Sequence, residues 1–148
     1  MDVQKDFRDL LELFTGNKVE FIIVGAYALA FHGAPRFTGD LDILVRPTVQ
    51  NAQAIVRSLE SFGFGSLGLI PDDFLQSESV VQLGVAPVRI DILTSITGVS
   101  WEMADSGKEA GAYGDIPVFF LGKNEYAINK KTIGRKKDLA DLEALDGC

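Results

Sequence analysis

The stretch Phe21-Ile-Ile-Val-Gly-Ala-Tyr-Ala-Leu-Ala-Phe-His-Gly-Ala-Pro-Arg-Phe-Thr-Gly-Asp-Leu-Asp-Ile-Leu-Val-Arg46 decides how the chain is read. Phe21 to Val24 is a continuous apolar run of strand-forming residues, stopped by Gly25, which suits a strand buried on both faces. Ala26 to Phe31 then takes helical spacing, and His32-Gly33-Ala34-Pro35 closes it. A second apolar run, Leu41 to Val45, ends at Arg46-Pro47 and carries two aspartates, Asp40 and Asp42. Carboxylates set among apolar strand residues are costly unless something cationic meets them. That cost is the first pointer to chemistry.

Outward from this stretch, Val3, Phe7, Leu10, Leu11 and Phe14 fall at helical spacing, and Gly16-Asn17 ends the segment. Thr48 is placed to cap a helix carrying Ala52, Ile55, Val56, Leu59 and Phe62 and ended by Gly63. Gly65 to Leu75, with its glycines, Pro71 and Asp72-Asp73, reads as a loop with at most a turn of helix. Val80 to Gly84 and Val88 to Leu93 form an expected hairpin around Ala86-Pro87. Val99 to Ser106 reads as a short helix with Trp101 packed inward. Gly111 to Gly114 reads as a lead-in to a last strand, Val118 to Leu121, and Glu125 to Lys131 and Lys137 to Leu145 read as helices. The expectation is an α/β (α+β) arrangement, a small mixed β-sheet flanked by helices in a single domain over residues 1–148.

Of the 148 residues, 47% are hydrophobic and 24% charged, a globular profile rather than that of a disordered chain. The formal net charge of -7 argues against a dedicated nucleic-acid coat, whose affinity comes largely from basic side chains neutralising phosphates. The one cysteine, Cys148, leaves neither a disulfide framework nor a cysteine metal site within the chain, which fits a reducing compartment. The N-terminal residues mix charges and lack the regions of a signal peptide, and no apolar run approaches the roughly 20 residues of a membrane helix. A cytoplasmic protein with no membrane partner is expected.

On a strand beginning near Asp40, the carboxylates of Asp40 and Asp42 share a face with Cα atoms roughly 7 Å apart. Asp91, in Val88-Arg89-Ile90-Asp91-Ile92-Leu93, joins them if its strand is a neighbour. Clustered carboxylates in a partly buried place need cations to stay ionised, and Mg²⁺, held by one or two carboxylates with substrate phosphates, is the natural one. Two such ions, about 3.5–4 Å apart, can stabilise both oxygens of an in-line phosphoryl displacement. Gly25 at the strand-to-helix junction lets backbone amides approach a phosphate. Plainer readings stand beside these: Asp40 as a turn or capping residue, Asp91 in a structural ion pair with Arg89, and Gly25 as one of many glycines that follow strands.

The joint pattern, apolar strand, Gly25, helix, His32-Gly33, Arg36, Thr38, Asp40-Leu41-Asp42-Ile43 and a later strand aspartate, resembles the nucleotidyltransferase superfamily with the polymerase-beta-like fold. Among its members it is most similar to small bacterial ones, including the AbiEii-type toxins of abortive-infection and toxin-antitoxin systems. The resemblance implies metal-binding roles for Asp40, Asp42 and Asp91 and a phosphate-contacting role for Gly25. Asn129-Lys130 and the run Gly134 to Leu142 resemble later motifs of the AbiEii branch, which implies active-site roles for Lys130, Lys137 and Asp138. Ala26 departs from the pattern, standing where the superfamily usually has Gly or Ser; cradling by backbone amides does not require that side chain.

Arg36, between the glycine and the carboxylates, is suited to bidentate phosphate contact, and Thr38 to positioning that loop. The cations Lys130, Lys131, Arg135, Lys136 and Lys137 read either as a solvated helix face or as partners of a triphosphate. His32 reads as a capping or hydrogen-bonding residue, and Trp101 as core. The expected function is Mg²⁺-dependent transfer of a nucleoside monophosphate from a nucleoside triphosphate to a hydroxyl of an RNA such as tRNA, a protein or a small molecule, with an antitoxin chain as a possible partner. The alternative is a catalytically inactive nucleotide-binding or interaction module of the same fold.

Overall fold

The structure, a computed structural model, describes residues 3–34, 39–85 and 87–146. Arg36 and Thr38, and Ala86 of the expected hairpin turn, lie outside the described residues. Helix α1 (Lys5–Gly16) starts where the Gln4 side chain accepts from Asp6 and Phe7 N–H, and it buries Phe7, Leu10, Leu11 and Phe14. Strand β1 (Phe21–Val24) is buried along its whole length and runs directly into α2 (Gly25–Phe31). Strand β2 (Asp40–Val45) follows, then α3 (Val49–Leu59), which the Thr48 hydroxyl caps as expected.

Past α3 the chain makes a wide turn over Glu60–Phe64, where Gly63 takes φ +105°, and short 3-10 turns at Gly65–Leu67 and Pro71–Phe74. Strands β3 (Val80–Val85) and β4 (Val88–Leu93) form the expected antiparallel hairpin. Helix α4 (Trp101–Gly107), capped by the Ser100 hydroxyl, leads to strands β5 (Glu109–Tyr113) and β6 (Ile116–Phe120), then to α5 (Lys123–Ile133) and α6 (Lys136–Asp146). Trp101 is partly buried against the core.

The six strands form one mixed sheet in the order β3-β4-β2-β1-β6-β5. One expectation is corrected: Gly111 to Gly114 is no mere lead-in, since residues 109–113 pair antiparallel with β6 as the edge strand β5. Glu-Ala-Gly-Ala-Tyr has little β propensity, and packing supplies the reason it is extended. Phe31 of α2 stacks on Phe120 of β6 with ring centroids 4.3 Å apart, and Gly111 lies against both rings, so that a Cβ there would overlap them.

Register explains the charged face. Strand β2 runs antiparallel to β1 and parallel to β4, and the β2–β4 register sets Leu41 beside Ile90 and Ile43 beside Ile92. These four are buried and form the core side of both strands. The alternate residues point the other way, so the same register sets Asp40 beside Arg89 and Asp42 beside Asp91. A slip of either strand by one residue would turn its two charges into the core, which pins the register.

Candidate active site

The carboxylates gather where β1 ends. Val24 faces Asp42 across the β1–β2 pair, and Gly25 then turns the chain into α2 at φ +66°. That conformation favours glycine, and so does the space: a Cβ on Gly25 would overlap the Asp42 carboxylate. Gly25 therefore makes room for the side chain beside it, and both line a cleft of about 360 Å³. Its other walls include Glu78, Ser95, Thr97, Asn129 and Lys130, with Val80, Leu93, Ile96 and Ile133 supplying the apolar surface.

Asp42 carries the electrostatic strain of the site. Burial, the neighbouring charges of Asp91 and Asp40, and a hydrogen bond shared with Asp91 push its carboxyl up to about 6, with Lys130 pulling the other way. Asp91 is gripped from its own strand by Arg89, whose Nε and Nη2 donate to the two carboxylate oxygens at 3.0 and 2.9 Å. The same guanidinium lies 3.9 Å from Asp40. Both sequence readings of Asp91 are thus realised together: it is in register with Asp42 and it is ion-paired with Arg89.

Across the cleft, Lys130 of α5 is held from behind. Its ammonium lies 3.5 Å from Asp138 and 4.0 Å from Asp141, both buried in α6. Asp138 also accepts from the backbone N–H and the side chain of Arg135, tying the first turn of α6 to the residue before it. Arg135 and Lys130 together hold its carboxyl down to about 2. Asn129, also largely buried, donates to the Thr97 carbonyl at 2.8 Å and fixes α5 against the loop after β4.

No family model matches the sequence, and no curated protein matches it. Solved structures do. A Thermotoga maritima protein provisionally assigned as a nucleotidyltransferase matches with a TM-score of 0.59 at 18% identity, over 97% of this chain and 91% of its own. The fold is that of the nucleotidyltransferases. The lincosamide antibiotic adenylyltransferase LnuA, in a lincomycin-bound structure, matches with a TM-score of 0.54 at 15% identity, over 99% of this chain and 98% of its own. The antibiotic-resistance factor ANT(2'')-Ia matches with a TM-score of 0.55 at 12% identity, over 97% and 82%.

Within this nucleotidyltransferase fold, Gly25, Asp42 and Lys130 line the cleft, and Asp40 and Asp91 adjoin Asp42 on the same sheet face. Ala26 is buried in α2 and does not line the cleft. Asp138 is fully buried behind Lys130, and Lys137 is exposed on the first turn of α6, outside the cleft lining. His32 has the hydrogen-bonding role expected of it, its Nε2 lying 2.8 Å from the Leu121 carbonyl and tying the end of α2 to the end of β6. Glu78, Ser95 and Thr97 are cleft residues that the sequence reading did not single out, because they sit on connections whose positions follow from the assembled sheet.

Among the described residues, no three or more His, Cys, Asp or Glu side chains are arranged to hold a metal ion by themselves. The donors nevertheless fit Mg²⁺, which is held by one or two carboxylates and completes its shell with water and phosphate oxygens. Asp42 lines the cleft with Asp91 in register beside it and Asp40 two residues before it on the same strand, a carboxylate set of that kind. No helix among the described residues is long and apolar enough to cross a membrane.

Proposed function

We propose that the protein is a Mg²⁺-dependent nucleotidyltransferase that moves a nucleoside monophosphate from a nucleoside triphosphate to a hydroxyl of a small acceptor. The observation that carries this reading is Asp42, set beside Asp91 by the β2–β4 register at a cleft whose other wall holds Lys130. Asp40 and Asp42 would hold the metal, with Asp91 adding to the set. When bound, Mg²⁺ neutralises charge on the phosphate oxygens of an in-line displacement, and two ions are the expected complement.

The chain's own groups supply the rest. The acceptor oxygen bonds to the α-phosphorus, the bond from that phosphorus to the β-phosphate bridging oxygen breaks, and pyrophosphate leaves. The hydroxyl proton passes to the carboxylate row, where Asp91 adjoins Asp42. Gly25 and the backbone at the start of α2 receive the outer phosphates, with Arg36 and Thr38, which lie between Gly25 and Asp40 in the sequence, assigned to the same substrate. Lys130 offsets the charge that develops on the leaving pyrophosphate. Asp138 acts through Lys130 as a positioning residue. Lys137 has no contact in this scheme.

A small acceptor is favoured over RNA by the net charge of -7 and by a cleft of about 360 Å³. The lincomycin-bound state of LnuA, a full-length match in fold, supports the same class. A toxin-antitoxin setting, with an antitoxin chain as partner, rests on the sequence resemblance alone, in the pattern around Gly25 and Asp42 and in Asn129 to Leu142. The test is incubation with α-labelled nucleoside triphosphates, Mg²⁺ and a small-molecule extract, comparing wild type with Asp42→Asn. Label transferred by wild type and lost in the variant is expected. Nucleotide binding without transfer to any acceptor would instead favour the inactive module, and equal transfer by both proteins would remove Asp42 from the mechanism.

A further inference from the structure

One charged side chain on the cleft's sheet face has no part in the proposed transfer. Arg89 precedes Asp91 by two residues on β4, so its side chain emerges on the same face, beside Asp40 of β2. Its guanidinium spans the carboxylate row, closing on both oxygens of Asp91 and lying 3.9 Å from Asp40. Such a fork is the best protein substitute for a metal ion on carboxylates, since it brings a delocalised positive charge and paired donors matched to the oxygens. The Arg89 side chain is also 36% exposed, so its head leaves without opening the core.

We propose that Arg89 is the resident cation of the site, holding the carboxylate row together when no metal is bound and competing with the divalent ion for Asp91 and Asp40. Three carboxylates on one sheet face repel one another, and with neither cation present the row would spread or take up protons. Arg89 keeps it assembled, at the expense of affinity for metal alone. The consequence is a site in which free metal binds weakly, because the guanidinium must first be displaced from a bidentate grip. This inference rests on the metal-binding reading of Asp40, Asp42 and Asp91 given above.

The test is titration of the full chain with Mn²⁺ alone, followed by electron paramagnetic resonance, together with melting curves in chelator and in Mn²⁺. Wild type, Arg89→Gln, Arg89→Lys and Asp42→Asn are compared. Arg89→Gln is expected to bind Mn²⁺ roughly tenfold more tightly than wild type, the scale of a charge-assisted hydrogen-bonded pair. It should melt lower in chelator and gain more from Mn²⁺ than wild type does. Arg89→Lys keeps the charge, loses the fork, and should fall between the two; it decides the matter if Arg89→Gln does not fold. Unchanged or weaker Mn²⁺ binding in the Arg89 variants, with wild-type binding abolished by Asp42→Asn, overturns the role of Arg89 and leaves the metal site standing. Wild-type Mn²⁺ binding that Asp42→Asn does not affect overturns both.

Discussion

Replacing Asp42 by Asn should stabilise the metal-free protein, and the size of the effect follows from the structure. The Asp42 carboxyl stands at about 6 against an ordinary 3.8, chiefly because it is buried and then because Asp91 and Asp40 repel its charge. A shift of that size makes the ionised side chain cost about 3 kcal/mol, at roughly 1.4 kcal/mol for each pH unit. Asparagine is close to isosteric and carries no charge, so at pH 7.5 in chelator the variant should gain about 2–3 kcal/mol. In a chain of this size that raises Tm by roughly 5–10 °C. The sign with pH is fixed as well. Because the folded-state value is raised, the native protein binds the proton more strongly than the unfolded chain, and wild-type stability rises as pH falls from above 6 towards 4. The advantage of Asp42→Asn should therefore shrink over the same interval, as wild-type Asp42 neutralises itself. Urea unfolding of both proteins at pH 7.5, 6 and 4.5 in chelator measures it. A variant less stable than wild type at pH 7.5, or a gain that does not change with pH, would refute the reasoning.

Three further outcomes are expected. Gly25→Ala forces a side chain into the left-handed region and into the Asp42 carboxylate, so it should cost about 2–4 kcal/mol in urea unfolding and abolish label transfer. Asp138→Ala leaves Lys130 without its nearest carboxylate and should cost about 3–5 kcal/mol. In wild type, the lowered Asp138 carboxyl contributes stability that is fully present above about pH 4 and is lost as pH falls through about 2, which acid unfolding monitored by circular dichroism would show being absent from the variant. Lys137→Ala, on the exposed side of α6, should leave stability within about 0.5 kcal/mol and transfer rates unchanged, in contrast to Lys130→Ala.

What was legible in the sequence was the part that hydrophobic patterning controls. The apolar runs of β2 and β4 are interrupted only by the charges that end up on one face, so the spacing puts Asp91 with Asp40 and Asp42 if the strands are neighbours; the register that sets Asp91 beside Asp42 comes from the assembled sheet. Gly25 was recognised as a junction residue. Its second role, clearing space for Asp42, depends on the β1–β2 pairing and has no local signal. Strand β5 has no such signal, because alanine and glycine have little preference for extended chain; its pairing with β6, the buried Tyr113 and the Phe31–Phe120 stack against Gly111 hold it as a sheet edge. The basic tail divided in a way that composition does not reveal. Lys130 faces the cleft because α5 packs with Asn129 against Thr97, whereas Lys137, one helix later, faces solvent.

The most direct measurement is anomalous diffraction from crystals grown with Mn²⁺ and a non-hydrolysable nucleoside triphosphate. The account predicts a manganese peak on the carboxylates of Asp40 and Asp42, with a phosphate oxygen of the nucleotide in the same shell and Lys130 facing the outer phosphates. A nucleotide bound away from the Asp42 cleft, or no manganese at those carboxylates, would contradict it.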